Sequence, residues 1–181
     1  MERCDQCGFV YDSTPTSGVA EGLRSLAPRY ASRLRAAEQD SLAWTRPQSS
    51  TWSAVEYACH VRDVLLVQAE RLQLALQQQR LVFAPMRRDE RAGEERYNDQ
   101  QVKTVLAELT EAAERFADAL ERLDGQQWQR TAVYPWPHPA ERSMAWLARH
   151  TLHEGLHHFV NIVAGVEALR ASLQQDCQAG R

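Results

Sequence analysis

Long stretches of this chain repeat apolar residues every three or four positions, which is the spacing of one face of an α-helix. Two such series follow Ser53 and Asn98, and each is about seven turns long. Their members are Val55, Cys59, Leu65, Leu66, Ala69, Leu72 and Leu76, and then Val102, Val105, Leu106, Leu109, Ala113, Phe116, Leu120 and Leu123. Apolar spacing and helix-favouring composition also predict a first helix over about residues 19–43, which is kinked or split at Pro28. They predict a last helix over about residues 144–173. Four long amphipathic helices around one core predict an all-α four-helix bundle.

Capping residues predict where three of these helices begin. Ser53 and Glu56 have the spacing of a capping box. Asn98 and Gln101 form a second, looser box, and Ser143 is the expected N-cap of the last helix.

The predicted organisation is one bundle with a short tail at each end. The bundle spans residues 19–175, a CxxC tail covers residues 1–18, and a C-terminal tail covers residues 176–181. The inter-helix loops 81–97 and 124–142 are long for a simple bundle, so we expect a substrate pocket to be built there. The one weak strand signal is CGFVYD near the start.

Charge and hydropathy exclude several classes of partner. The 181 residues include 21 Lys and Arg against 24 Asp and Glu, which are interleaved along the chain and give a net charge of -3. Such a surface repels phosphate backbones more than it attracts them, so we expect no nucleic acid partner. The chain has no apolar run of about 20 residues and no apolar signal-peptide segment, which predicts a cytoplasmic protein without a membrane partner. Its four cysteines are too few for a disulfide framework and are expected to be reduced.

The sequence HTLHEGLHH places several histidines on neighbouring faces of the last helix. His153 and His157 lie one turn apart, and His150 lies about a turn earlier on nearly the same side. An H-x3-H pair supplies two metal ligands, and His60 in the second helix is the expected third. Two alternatives remain open: histidines that only form hydrogen bonds or face solvent, and an HExxH zinc hydrolase in which Glu154 is the base.

Two motifs resemble those of the DinB/YfiT-like metalloenzymes. They are W-S-x-x-E-Y-x-x-H-x-x-D, residues 52–63, and H-E-x-x-H-H, residues 153–158, and the similarity covers most of residues 19–173. The chain is most similar to an actinobacterial branch with an N-terminal CxxCGF, a YN before the third helix and RHTLHEGLHH. The resemblance implies a four-helix bundle in which His60, His153 and His157 bind a divalent metal, with zinc expected first and nickel or iron as alternatives.

The resemblance also implies a function. Characterised members use mycothiol, bacillithiol or glutathione, and they include mycothiol-dependent maleylpyruvate isomerase. A thiol at the open metal position loses its proton and becomes a nucleophile. We therefore expect a metal-dependent thiol S-transferase or isomerase that acts on a small-molecule thiol and an electrophilic substrate, with no catalytic group beyond the metal ligands. The alternatives are a non-catalytic metal or small-molecule-binding protein and a metal-dependent hydrolase, and the resemblance suggests a homodimer.

Three carboxylates could orient the ligand imidazoles. Glu56 and Asp63 lie four residues before and three residues after His60, and Glu154 follows His153 directly. The alternatives are that Glu56 only caps its helix and that Asp63 only faces solvent.

The segment before the third helix is rich in arginine. Arg88, Arg91 and Tyr97 are the groups expected to hold an anionic or sugar-bearing thiol, unless the segment is simply a solvated loop.

The N-terminal pair Cys4 and Cys7, followed by Gly8, has the pattern of half a zinc ribbon. A tetrahedral zinc site needs two more ligands, for which His150 and His158 are the candidates. Such a site would fasten the tail to the bundle as a second zinc centre. An unbound reduced tail and a redox motif are the alternatives.

Overall fold

Four long helices carry the fold, which a computed structural model describes for residues 2–179. The elements are α1 (Val19–Arg24), α2 (Leu26–Gln39), α3 (Ala54–Gln77), α4 (Arg88–Glu94), α5 (Val102–Glu121), α6 (Gly125–Gln129), β1 (Thr131–Tyr134), β2 (Ala140–Ser143) and α7 (Met144–Ala179). Short 3₁₀ turns lie at Thr16–Gly18 and Tyr97–Asp99. Helix α3 packs against α5 and α7, and the α1–α2 pair packs against the same two helices. The predicted four-helix bundle is confirmed.

The first predicted helix is split, as expected, but the break lies before Pro28. Helix α1 ends at Arg24, and the Ser25 hydroxyl donates to the carbonyl oxygen of Gly22 at 2.7 Å. Pro28 is the third residue of α2. A proline is tolerated in the first turn of a helix because the N–H that it lacks would have no partner inside the helix there.

The predicted start of α3 is confirmed, whereas the predicted start of α5 is wrong. The Ser53 hydroxyl accepts from the Glu56 backbone N–H at 3.2 Å, and Glu56 accepts from the Ser53 N–H at 2.8 Å. Asn98 instead accepts from the Ser53 hydroxyl at 2.7 Å and donates to the Trp44 carbonyl at 3.0 Å. Its side chain therefore holds the α2–α3 connection, and α5 begins later, at Val102.

A β-hairpin, which the sequence analysis missed, occupies the long connection before α7. Strands β1 and β2 are antiparallel, and the Val133 carbonyl and N–H also pair with Phe83 and Leu81 at 3.0 and 2.8 Å. Each strand has only four residues, too few for alternation to stand out in the sequence. Ser143 then caps α7 as predicted, because its hydroxyl accepts from the Trp146 N–H at 3.1 Å.

The N-terminal segment lies along the first half of α7. The Tyr11 side chain is buried, Trp146 donates its indole N–H to Glu2 at 3.0 Å, and Arg149 donates to the Thr14 carbonyl at 2.7 Å. At its other end α7 continues to Ala179, into the predicted C-terminal tail. Within residues 2–179, no helix combines the length and apolarity that a bilayer crossing requires.

Candidate metal centre

Helix α7 presents its histidines towards α3 and the N-terminal segment, while its opposite side packs on α2. That packing is close at Gly155, whose carbonyl accepts from the buried Tyr30 hydroxyl at 2.7 Å. A side chain at position 155 would collide with Leu26. This contact fixes which way the neighbouring residues of α7 point.

The histidines, cysteines and Glu154 fall into three overlapping groups of metal-binding atoms. Within each group in the described part of the chain, the ligand atoms lie within 4.8 Å of one another. The groups are Cys4, Cys7, His153 and His157; His60, Glu154 and His158; and His150, His153 and Glu154. The structure thus brings His60 together with Glu154 and His158, and it brings the cysteines together with His153 and His157.

His60 is the buried α3 member of the second group. Its Nε2 is 3.8 Å from a Glu154 carboxylate oxygen, and the Nε2 of His158 is 3.4 Å from the same oxygen. Neither ring nitrogen of His60 has a hydrogen-bond partner anywhere in residues 2–179. A buried polar group without a partner costs free energy, so a divalent cation fits between these three side chains.

The charge of this group also suits a cation. Burial opposes the charge of Glu154, but the facing imidazoles of His158 and His60 hold the pKa of Glu154 well below its ordinary value. Burial lowers the pKa of His158 below its ordinary value. At neutral pH the group therefore offers an ionised carboxylate and, at His158, a neutral imidazole, which are forms that bind metals.

Aromatic rings surround the His60 group. The ring of Trp52 lies edge-on to His60 with centroids 5.3 Å apart, and Tyr57 stacks on His158 at 5.2 Å. The amide of Asn161 lies 3.2 Å from the Nδ1 of His158. The Asn161 amide can present either its nitrogen or its oxygen to this ring. When the oxygen faces the ring, it accepts from Nδ1–H of His158, and the lone pair on Nε2 of His158 is then free to bind a metal.

Tyr11 joins two of the remaining histidines, and the sequence analysis did not identify it as a site residue. Its hydroxyl lies 2.8 Å from the Nδ1 of His150 and 3.0 Å from the Nδ1 of His153. Burial raises the pKa of Tyr11 above its ordinary value, so the hydroxyl keeps its proton. The only sequence signal for it was its place in CGFVYD, beside the CxxC.

His150, one of the two histidines predicted to complete the cysteine site, lies instead in an aromatic cluster. Its ring stacks on Trp146 with centroids 4.6 Å apart and lies edge-on to Tyr134 at 5.2 Å. Burial lowers the pKa of His150 to about 4, so this imidazole is neutral at physiological pH.

Glu56 and Asp63 have partners other than a ligand imidazole. Glu56 caps α3 and forms an ion pair with Arg46. Asp63 is buried and accepts from the Tyr97 hydroxyl at 2.7 Å and from Arg62 at 2.8 Å. Both carboxylates thus support the frame around the site.

The three residues predicted to hold a thiol lie in different environments. Arg88 is exposed, and its guanidinium lies 5.6 Å from the ring centroid of Trp52, at the edge of the His60 group. Arg91 contacts Asp63 at 3.3 Å, and Tyr97 is fully buried. Arg88 is therefore the member of the three that can meet a ligand at the histidines.

An open groove lies away from the histidines, between α3 and α5. This groove of about 750 Å³ is lined by polar and charged side chains, among them Arg62, Arg91, Glu108 and Arg115. Its lining contains none of the metal-binding groups described above.

Comparison with solved structures shows the same fold in two other proteins. YfiT from Bacillus subtilis, a probable metal-dependent hydrolase with an unusual four-helix bundle topology, is 17% identical with a TM-score of 0.75, over 95% of this chain and 93% of that chain. Mycothiol-dependent maleylpyruvate isomerase is 11% identical with a TM-score of 0.67, over 85% of this chain and 63% of that chain. At these identities the likeness is one of fold.

Sequence comparison identifies the family. No curated protein matches the chain. The profile of the DinB superfamily matches residues 23–160, a span that includes His60 and the whole histidine block of α7. The chain therefore belongs to the DinB superfamily.

Proposed function

We propose that this chain is a divalent-metal-dependent enzyme that uses a low-molecular-weight thiol, with His60, Glu154 and His158 as the metal ligands. The observation that carries the proposal is the buried His60 ring, whose nitrogens lack partners within residues 2–179 while a carboxylate and a second imidazole face it. This ligand set replaces His153 and His157 of the sequence-based triad by the pair one position further along α7.

Three protein ligands leave room for an exogenous one. A divalent ion held by two imidazoles and a carboxylate would supply Lewis-acid chemistry and lower the pKa of a bound thiol or water. The ionised Glu154 offsets part of the ion's charge, and Asn161 orients the His158 ring. Zinc suits this donor set, and nickel and iron also bind imidazole and carboxylate.

The surroundings of the site support a thiol with a polar or anionic part. Trp52 and Tyr57 are half-buried beside His60 and His158 and would shield the reacting atoms from water. Arg88 lies over the Trp52 ring and would meet an anionic group at this rim. Among the structural neighbours, the isomerase is mycothiol-dependent, which agrees with this choice of co-substrate.

Metal-dependent hydrolysis is the second candidate. It is favoured by the donor set, because two histidines and a glutamate also hold the zinc of several hydrolases. YfiT, the neighbour with the higher TM-score of the two, is a probable metal-dependent hydrolase. In this reading water takes the place of the thiol at the ion.

The experiment uses cobalt in place of the native metal, because a thiolate on Co²⁺ adds a charge-transfer band that oxygen ligands do not. Mycothiol, bacillithiol and glutathione are added in turn, and the spectrum of the protein before addition is subtracted. We expect the band with wild type and with His138→Ala, an exposed-histidine control, and its loss with His60→Ala.

The outcomes separate the candidate functions. If no thiol produces a new band while carboxylates or amides shift the visible bands, the thiol proposal is wrong and hydrolysis is favoured. If His60→Ala binds as much metal as wild type and responds to thiols equally, the ligand assignment is wrong.

A further inference from the structure

We propose that Cys4, Cys7, His153 and His157 bind a second ion, a structural zinc that fastens the N-terminal segment to α7. Two thiolates and two imidazoles are the donor set of closed, tetrahedral zinc sites. The four ligand atoms lie within 4.8 Å of one another. This centre is independent of the proposed catalytic one, with which it shares no ligand.

The distances already approach those of a zinc site. With Zn–S and Zn–N bonds of about 2.3 and 2.0 Å, a tetrahedral site separates sulfur and nitrogen by about 3.5 Å. The Cys4 Sγ lies 3.6 Å from the Nδ1 of His157. Within the 4.8 Å limit, the remaining ligand atoms need to approach one another by little more than 1 Å.

His153 is oriented for metal binding by the N-terminal segment itself. Its Nδ1 contacts the Tyr11 hydroxyl, while its Nε2 is buried and has no partner in the part of the chain that the structure describes. A hydroxyl has one proton, so Tyr11 can donate to the Nδ1 of His150 and accept from the Nδ1–H of His153. His153 is then the tautomer whose Nε2 carries a free lone pair for a metal.

The backbone from Cys4 to Phe9 forms a tight, hydrogen-bonded reversal. The Gly8 N–H donates to the Cys4 carbonyl and the Cys4 N–H donates to the Phe9 carbonyl, both at 2.9 Å. Gly8 has a φ of 75°, a left-handed conformation that glycine adopts without strain. The reversal brings Cys7 back beside Cys4, and both are half-buried against α7.

A closed shell of four protein ligands leaves no position for a substrate, so the expected role is structural. On binding Zn²⁺, each thiol loses its proton to solvent, and two Zn–S and two Zn–N bonds form without any change of oxidation state. Among the residues described before the Thr16–Gly18 turn, Tyr11 is the only buried one. Burial of apolar side chains therefore contributes little to holding this segment on α7, and a bound metal would supply the missing stabilisation.

The first test is the metal content of purified, zinc-reconstituted protein. We expect about two ions per chain in wild type and about one in the Cys4→Ser/Cys7→Ser double variant. The variant Cys177→Ser, at an exposed cysteine near the end of α7, should keep the wild-type content. His60→Ala should lose the other ion, so the failure of either centre is recognised separately.

The second test needs no substitution and so does not depend on whether a variant folds. With the cobalt-loaded wild type, and no added thiol, we expect a thiolate charge-transfer band. With the zinc-loaded wild type, Cys4 and Cys7 should resist alkylation by iodoacetamide until a chelator is added, while Cys177 reacts throughout. Absence of the band, or equal labelling of Cys4 and Cys7 with and without chelator, overturns the proposal.

Discussion

Replacing Gly155 by alanine should destabilise the bundle, although alanine is the better helix former. An added Cβ would lie 2.3 Å from Cδ1 of Leu26, 3.1 Å from its Cδ2 and 3.3 Å from its Cγ. Carbon atoms normally pack at about 3.5–4.0 Å, so Leu26 or α7 must move by more than 1 Å. Leu26 is fully buried, so its side chain can move only by displacing its neighbours in the close-packed core.

The expected magnitude follows from two opposing terms. Overpacking a buried position costs about 3 kcal/mol at the upper end of its usual range. The gain in helix propensity returns about 1 kcal/mol. The net loss of about 2 kcal/mol corresponds to a Tm lowered by about 4–8 °C for a chain of this length.

The assay is thermal unfolding followed by far-UV circular dichroism, with Gly93→Ala as the matched control. Gly93 lies in α4, and an added Cβ there meets no atom of residues 2–179 within 4 Å. The control should unfold between the wild-type temperature and about 2–4 °C above it. A Gly155→Ala protein as stable as wild type would refute the argument that this glycine sets the distance between α7 and α2.

Three further substitutions test individual hydrogen bonds, each by urea unfolding. Tyr30→Phe removes the buried donor to the Gly155 carbonyl, and we expect the free energy of unfolding to fall by about 1 kcal/mol. Asp63→Asn replaces the charged acceptor of the Tyr97 hydroxyl by a neutral amide and should lower the free energy of unfolding by about 1–3 kcal/mol. An unchanged free energy of unfolding would mean that this bond is not formed. Ser53→Ala removes the N-cap of α3 and should cost about 1–2 kcal/mol, whereas unchanged stability would contradict the capping role.

The bundle was predictable because its signals are local. Apolar spacing and the Ser53 capping box depend on residues within one or two helical turns, and the structure confirms both. The predicted N-cap of α5 at Asn98 is wrong because the Asn98 side chain is bonded to Ser53, which lies 45 residues away in the sequence. No local pattern shows that a side chain with capping chemistry is already engaged elsewhere.

The grouping of the metal-binding residues could not be predicted from spacing. The pairs His153 with His157 and Glu154 with His158 are both four residues apart, and they differ by a rotation of about 100° around α7. Which pair faces α3 depends on how α7 is rotated in the bundle, which is a property of tertiary packing. In the structure, Glu154 and His158 face His60.

The rotational position of the histidine block on α7 limits where the gene can gain or lose codons. One residue inserted between Met144 and His150 would turn the histidine block by about 100° relative to the start of α7, and the two neighbouring ligand sets would then face the wrong elements. The turn between β1 and β2 carries no such constraint, because its residues 135–139 precede the helix. We therefore expect homologous genes to vary in length at the hairpin turn and to keep a constant number of codons from the start of α7 to the end of the histidine block.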